Sequence, residues 1–173
     1  MTLYDNINLR GTIIMHNKIS KIRNNMRKFD IDALLSIDMV NCYYISGFLL
    51  DKMSILITYT NVYIFVRSNR IIPENIEMPD NYHIVLFDDD FELKLLNISE
   101  SRNICNIGIE SNNISLKKFN TYKKKLKGIT LVPTNYIIES VRFSKTDEEI
   151  DCRCSDRLTQ NSSMEMTQNS PRL

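Results

Sequence analysis

A chain of 173 residues is long enough to bury one hydrophobic core and short for two, so one domain is expected. Its 22 Lys and Arg against 21 Asp and Glu give a formal charge of +1, which argues against a chain built to neutralise phosphates, and no nucleic-acid partner is expected. No apolar run approaches the roughly 20 residues a spanning helix needs, and the start, MTLYDNINLRG, lacks a basic segment followed by an apolar block; a cytoplasmic protein with no membrane partner is expected.

The four cysteines, Cys42, Cys105, Cys152 and Cys154, have no framework spacing. Their single C-x-C pair lacks the second pair or nearby histidines that zinc requires, so buried or idle thiols are predicted. Composition breaks near residue 150: Asp151 to Leu173 has no Ile and no Lys and holds both glutamines, Gln160 and Gln168. So polar a stretch cannot offset the entropy of ordering it, and it reads as a disordered tail.

In chain order, residues 1–14 carry no clear pattern and read as an N-terminal arm. Met15, Ile19, Ile22, Met26 and Phe29 recur at spacings of four and three, which predicts a helix with these side chains toward a core. Ala33 to Ile37 is a short apolar run of the kind buried on both faces of a sheet. Asp38 is placed to cap a following helix over Met39 to Ser46, and Gly47 to end it. Ser54 to Tyr59 and Val62 to Val66 predict a hairpin across Thr60-Asn61.

Pro73 and Pro79 predict an irregular connection over Glu74 to Met78. A strand is predicted over Tyr82 to Phe87, then a short helix over Phe91 to Asn97. Helix capping accounts for Asp88-Asp89-Asp90 better than a cation site, since no spaced oxygen ligands follow as in a calcium loop. Asn106 to Glu110 reads as a strand, and Ser115 to Lys127 as a helix with Leu116, Phe119, Tyr122 and Leu126 toward the core and its lysines solvated. Ile129 to Val132 is the last predicted strand, Pro133-Thr134 opens a helix through Ser140, and Thr146 with Glu149 has the pattern of a capping box.

Three stretches carry a family resemblance: Asp30-Ile31-Asp32-Ala33-Leu34-Leu35 with Asn41 and Tyr44-Ile45-Ser46-Gly47-Phe48; Ile107-Gly108-Ile109-Glu110; and Val141 to Ile150. In this order they resemble the creatinase/prolidase N-terminal domain, the front half of Xaa-Pro aminopeptidases and dipeptidases, over about residues 15–150. The resemblance implies an α/β domain with a mixed, roughly six-stranded sheet flanked by helices, of ribonuclease H-like type. It sets the domain at 15–145, with 146–173 as the start of a linker helix and the tail.

The resemblance also implies a non-catalytic role: dimerisation, and cover of an active-site cleft belonging to a neighbouring catalytic domain. The family's two divalent metal ions lie in that catalytic domain, so no cofactor, metal ligand or catalytic residue is expected in this chain. Its partner would be a second copy or a full-length peptidase subunit, with truncation, frameshift or fragment definition accounting for the break after residue 150. The alternative is a free-standing protein-binding or modulator module of the same fold. Family members often carry F-[TV]-D-x-R-Y after the hairpin, with side chains facing substrate. Phe65-Val66-Arg67-Ser68-Asn69-Arg70 departs from it, leaving Arg67, Asn69, Arg70, Tyr44 and Phe48 as candidate substrate or subunit contacts.

Overall fold

The computed structural model describes residues 3–72 and 78–144, with side chains from residue 15 onward. By its contacts the chain divides into two compact units, Met1–Val141 and Arg142–Leu173, and the fold below is that of the first. The predicted connection at Glu74 to Met78 falls almost wholly outside the described residues, as do the Thr146–Glu149 capping box and the tail.

The first helix, α1, spans Leu3–Lys28. It starts well ahead of Met15, so the segment predicted as an arm continues the helix. Residues 3–14 contain no proline, and one glycine costs a helix only about 1 kcal/mol against alanine, which leaves little to stop propagation toward the N-terminus. Of the predicted stripe, Ile19, Ile22 and Met26 are buried. Phe29 is 44% exposed. It lies past the last helical residue, beside Asp30 at φ 51°, where the helical phase no longer holds.

Among the described residues six strands form the expected mixed sheet: β1 (Ala33–Ser36), β2 (Ser54–Thr58), β3 (Val62–Arg67), β4 (Tyr82–Phe87), β5 (Asn106–Glu110) and β6 (Thr130–Thr134). Their order in the sheet is β4-β3-β2-β1-β5-β6. Only β2 runs against the rest: it is antiparallel to β1 and β3, while the β1–β5, β3–β4 and β5–β6 pairs are parallel. Central β1 and β2 are buried at every residue, which is why their sequences are continuous apolar runs and not alternating ones.

The period of two along each strand divides the apolar side chains into two cores. On one face Leu34, Ile55, Ile57, Val62 and Ile64 join Ile19, Ile22 and Met26 of α1, Cys42 and Ile45 of α2 (Met39–Ser46), and Ile137, Ile138 and Val141 of α5 (Ile137–Phe143). On the other, Leu35, Leu56, Phe65, Ile107 and Ile109 meet Phe91 and Leu95 of α3 (Phe91–Ser101) and Tyr122 of α4 (Leu116–Lys125). Each such side chain contributes roughly 1.5–3 kcal/mol when fully buried. Gly108 belongs to the first face, where a Cβ would come within 2.5 Å of Ile31 Cδ1, so any larger residue there would force the Ile31 side chain to shift.

Local signals act as the sequence predicts at α2. The Asp38 carboxylate accepts from the Asn41 N–H at 2.9 Å, and Gly47 closes the helix at φ 77°. Two other predictions are corrected. Pro133 lies inside β6 and does not open a helix: β6 is an edge strand, where a missing N–H is tolerated, and α5 starts only at Ile137. Leu116 is 75% exposed because it is the first residue of α4, ahead of the turns that face the sheet.

Candidate functional site

Five strands point the same way, so their carboxyl ends share one rim of the sheet, the rim at which open α/β folds bind ligands. Two polar features lie there. One is a buried knot at the ends of β1 and β5; the other is an open, charged cleft at the ends of β3 and β4.

The knot centres on Glu110, the last residue of β5, which is 6% exposed. Its carboxylate accepts from Ser36 Oγ at 3.0 Å and Asn41 Nδ2 at 2.7 Å, and from the backbone N–H groups of Ile37 at 3.2 Å and Asp38 at 3.3 Å. Asn41 Nδ2 donates also to Glu139 of α5 at 2.9 Å. One acid thus ties the ends of β1 and β5 to the start of α2, and through Asn41 to α5. Burial raises the Glu110 carboxyl above its ordinary value, and the bonds from Asn41, Ser36, Ile37 and Asp38 pull it the other way. Beside it the Cys42 thiol is pushed up to about 12, chiefly by burial, which makes it inert as a nucleophile.

The cleft, of about 510 Å³, lies over Phe87, Phe91 and Tyr122. Charges of both signs rim it. Arg67 stands 3.8 Å from Asp89, with its guanidinium 5.7 Å from the centre of the Phe87 ring. Lys125 pairs with Glu92 at 3.2 Å, and the Lys118 ammonium sits 5.6 Å from the Tyr122 ring centre. Asp88 accepts from the Ser68 hydroxyl. Asp90 flanks α3 without capping it by a side-chain bond; it pairs instead with Lys94 at 3.6 Å and accepts from the Asp88 N–H. The acidic run therefore sits at the N-terminus of α3 as predicted, with Asp90 as its N-cap residue, but ion pairs and a turn hold it and no side-chain bond caps the helix.

The five candidate contacts are not brought together. Arg67 rims the cleft. Asn69 is exposed in the turn after β3, and Arg70 there pairs with Asp51 at 2.7 Å. Tyr44 lies elsewhere, half-buried beneath the Lys18 ammonium at 4.3 Å. Phe48 is 8% exposed and packs in the first core with Met53, so its ring is a packing group. Sequence reading did not group Glu110 with Ser36 and Glu139. The available signal was an acid closing an otherwise apolar strand, which water cannot solvate unless the strand ends at the surface.

Among the described residues no group of three His, Cys, Asp or Glu side chains is placed to hold a metal ion. Glu110 spends its oxygens on four donors, so the knot does not fit a metal either. Nor is any described helix long and apolar enough to cross a membrane.

The family model for the creatinase/prolidase N-terminal domain matches residues 18–144. The fold is similar to that of the aminopeptidase P, Xaa-Pro aminopeptidase, from Streptococcus thermophilus, with a TM-score of 0.65 at 20% identity, over 74% of this chain and 98% of that one. The Xaa-Pro dipeptidase from Bacillus anthracis gives 0.70 at 20% identity, over 79% of this chain and 38% of that one. The prolidase from Pyrococcus horikoshii OT3 gives 0.55 at 25% identity, over 89% and 44%. The chain thus spans less than half of the latter two. No curated protein matches it in sequence.

Proposed function

This chain belongs to the creatinase/prolidase N-terminal domain family, and we propose that it serves as the non-catalytic front domain of a Xaa-Pro aminopeptidase or dipeptidase type of metallopeptidase. In this reading it pairs subunits and covers a cleft in which a separate catalytic domain works. The observation that carries it is the family match over residues 18–144. The chemistry of the rim supports a structural part. Glu110 is committed to holding strand ends, and the cleft charges largely satisfy one another.

The family's two divalent ions belong with the catalytic domain, where metal-bound water would attack the peptide. This chain would contribute shape and subunit contact. The test is an assay of the purified chain on a Xaa-Pro dipeptide with added Mn²⁺, beside sedimentation equilibrium at rising concentration. The expected results are no hydrolysis above the metal-only control and a mass of twice 20.3 kDa. Metal-dependent hydrolysis that survives repurification overturns the non-catalytic reading, and a monomer throughout overturns pairing between copies.

A further inference from the structure

We propose that two copies of this chain join through the free edge of β4, antiparallel about a two-fold axis at Val85, so that two six-stranded sheets continue as one. This seam, which rests on the pairing reading above, names the surface that does the pairing. The sheet ends at β4 on one side and β6 on the other, and among the described residues no strand pairs beyond either. An edge strand leaves a row of backbone N–H and C=O groups free to bond another chain, and folded proteins usually blunt it with charge or proline.

The two edges differ in this respect. β6 carries Pro133, which has no N–H to donate. β4 reads Tyr82-His83-Ile84-Val85-Leu86-Phe87, six residues with no proline, no glycine and no Asp, Glu, Lys or Arg. Its middle is also thinly covered. Ile84 and Val85 are half-buried and Leu86 is 49% exposed, whereas β2 is buried throughout. A β-prone edge without Asp, Glu, Lys or Arg, and with apolar groups on both faces, is a ready template for another strand.

Self-complementarity identifies a second copy as the occupant. A two-fold axis perpendicular to a sheet relates antiparallel strands and keeps each face continuous across the seam. With the axis at Val85, this residue meets its own copy on the face of Phe87. On the face of Tyr82, the exposed Leu86 meets Ile84 of the second copy. The centre of the uncovered stretch thereby becomes the centre of the seam, and each apolar side chain left open finds an apolar partner. An unrelated strand would satisfy the backbone without this match.

Sedimentation equilibrium of the full chain, with Leu86→Lys and Leu116→Lys beside it, tests the seam. Leu116 is the control, exposed on α4 and not on the edge strand. Leu86→Lys is expected to weaken dimerisation about tenfold or more and Leu116→Lys to leave it unchanged. If Leu86→Lys dimerises as tightly as the unaltered chain, the β4 seam is wrong while pairing stands; if the unaltered chain is a monomer, both fail. Amide hydrogen exchange needs no variant. Outward-facing amides of β4 are expected to slow as concentration carries the chain from monomer to dimer, and rates that stay constant through that transition overturn the seam.

Discussion

The Glu110 knot and the Arg67 cleft use the same chemistry, carboxylates facing donors at strand ends, in opposite surroundings. Glu110 is withdrawn from water and has four donors, two of them backbone N–H groups that cannot move without moving β1 and α2. In the cleft, Asp89 is almost wholly exposed and Arg67 reaches it only at 3.8 Å. Water can replace any cleft partner at little cost, whereas nothing replaces a partner lost from the knot. A polar residue thus holds a fold together according to how completely its neighbours depend on it, and formal charge is a poor guide.

The largest effect expected from this contrast is that of Glu110→Ala. It leaves Ser36, Asn41, Ile37 and Asp38 without their shared acceptor, and a loss of about 3–5 kcal/mol is expected, read by urea unfolding. A loss below about 1 kcal/mol would place the knot in the same class as the cleft. The pH dependence of stability sharpens the point. An acid raised on folding favours the folded state in its neutral form. That contribution is full below the ordinary value of 4.5 and is lost as pH rises through the raised one. Glu110→Gln cannot titrate, so its stability should fall less than that of the unaltered chain as pH is taken upward from 4.5. Parallel curves would mean that the four donors cancel the effect of burial. The smallest effect is expected in the cleft. Lys125→Ala breaks the pair with Glu92, in which the lysine is 54% exposed, and should cost less than about 1 kcal/mol, less again at high salt.

Legibility followed the range of the signal. The cap and stop of α2 were readable because Asp38 and Gly47 act on backbone within a few residues of themselves. The central strands were readable as apolar runs of strand length. Phe29 and Leu116 were misplaced because a helical period says nothing of where the helix ends or where its face meets the sheet. Pro133 looks like a helix opener by local sequence for a similar reason: whether a proline suits a strand depends on that strand being at an edge. Among the candidate contacts, Phe48 proved a core residue, since a short motif cannot tell an exposed ring from a buried one.

By itself the sequence determined the α/β class, most of the elements and the family, because caps, apolar periods and motif order are local properties of the chain. Tertiary structure alone decided that Ser36, Asn41 and Glu110 meet, 69 to 74 residues apart. It also decided that β4 and not β2 lies at the edge. Both depend on strand order, which is fixed by how the two cores pack on the sheet and by no neighbouring residue.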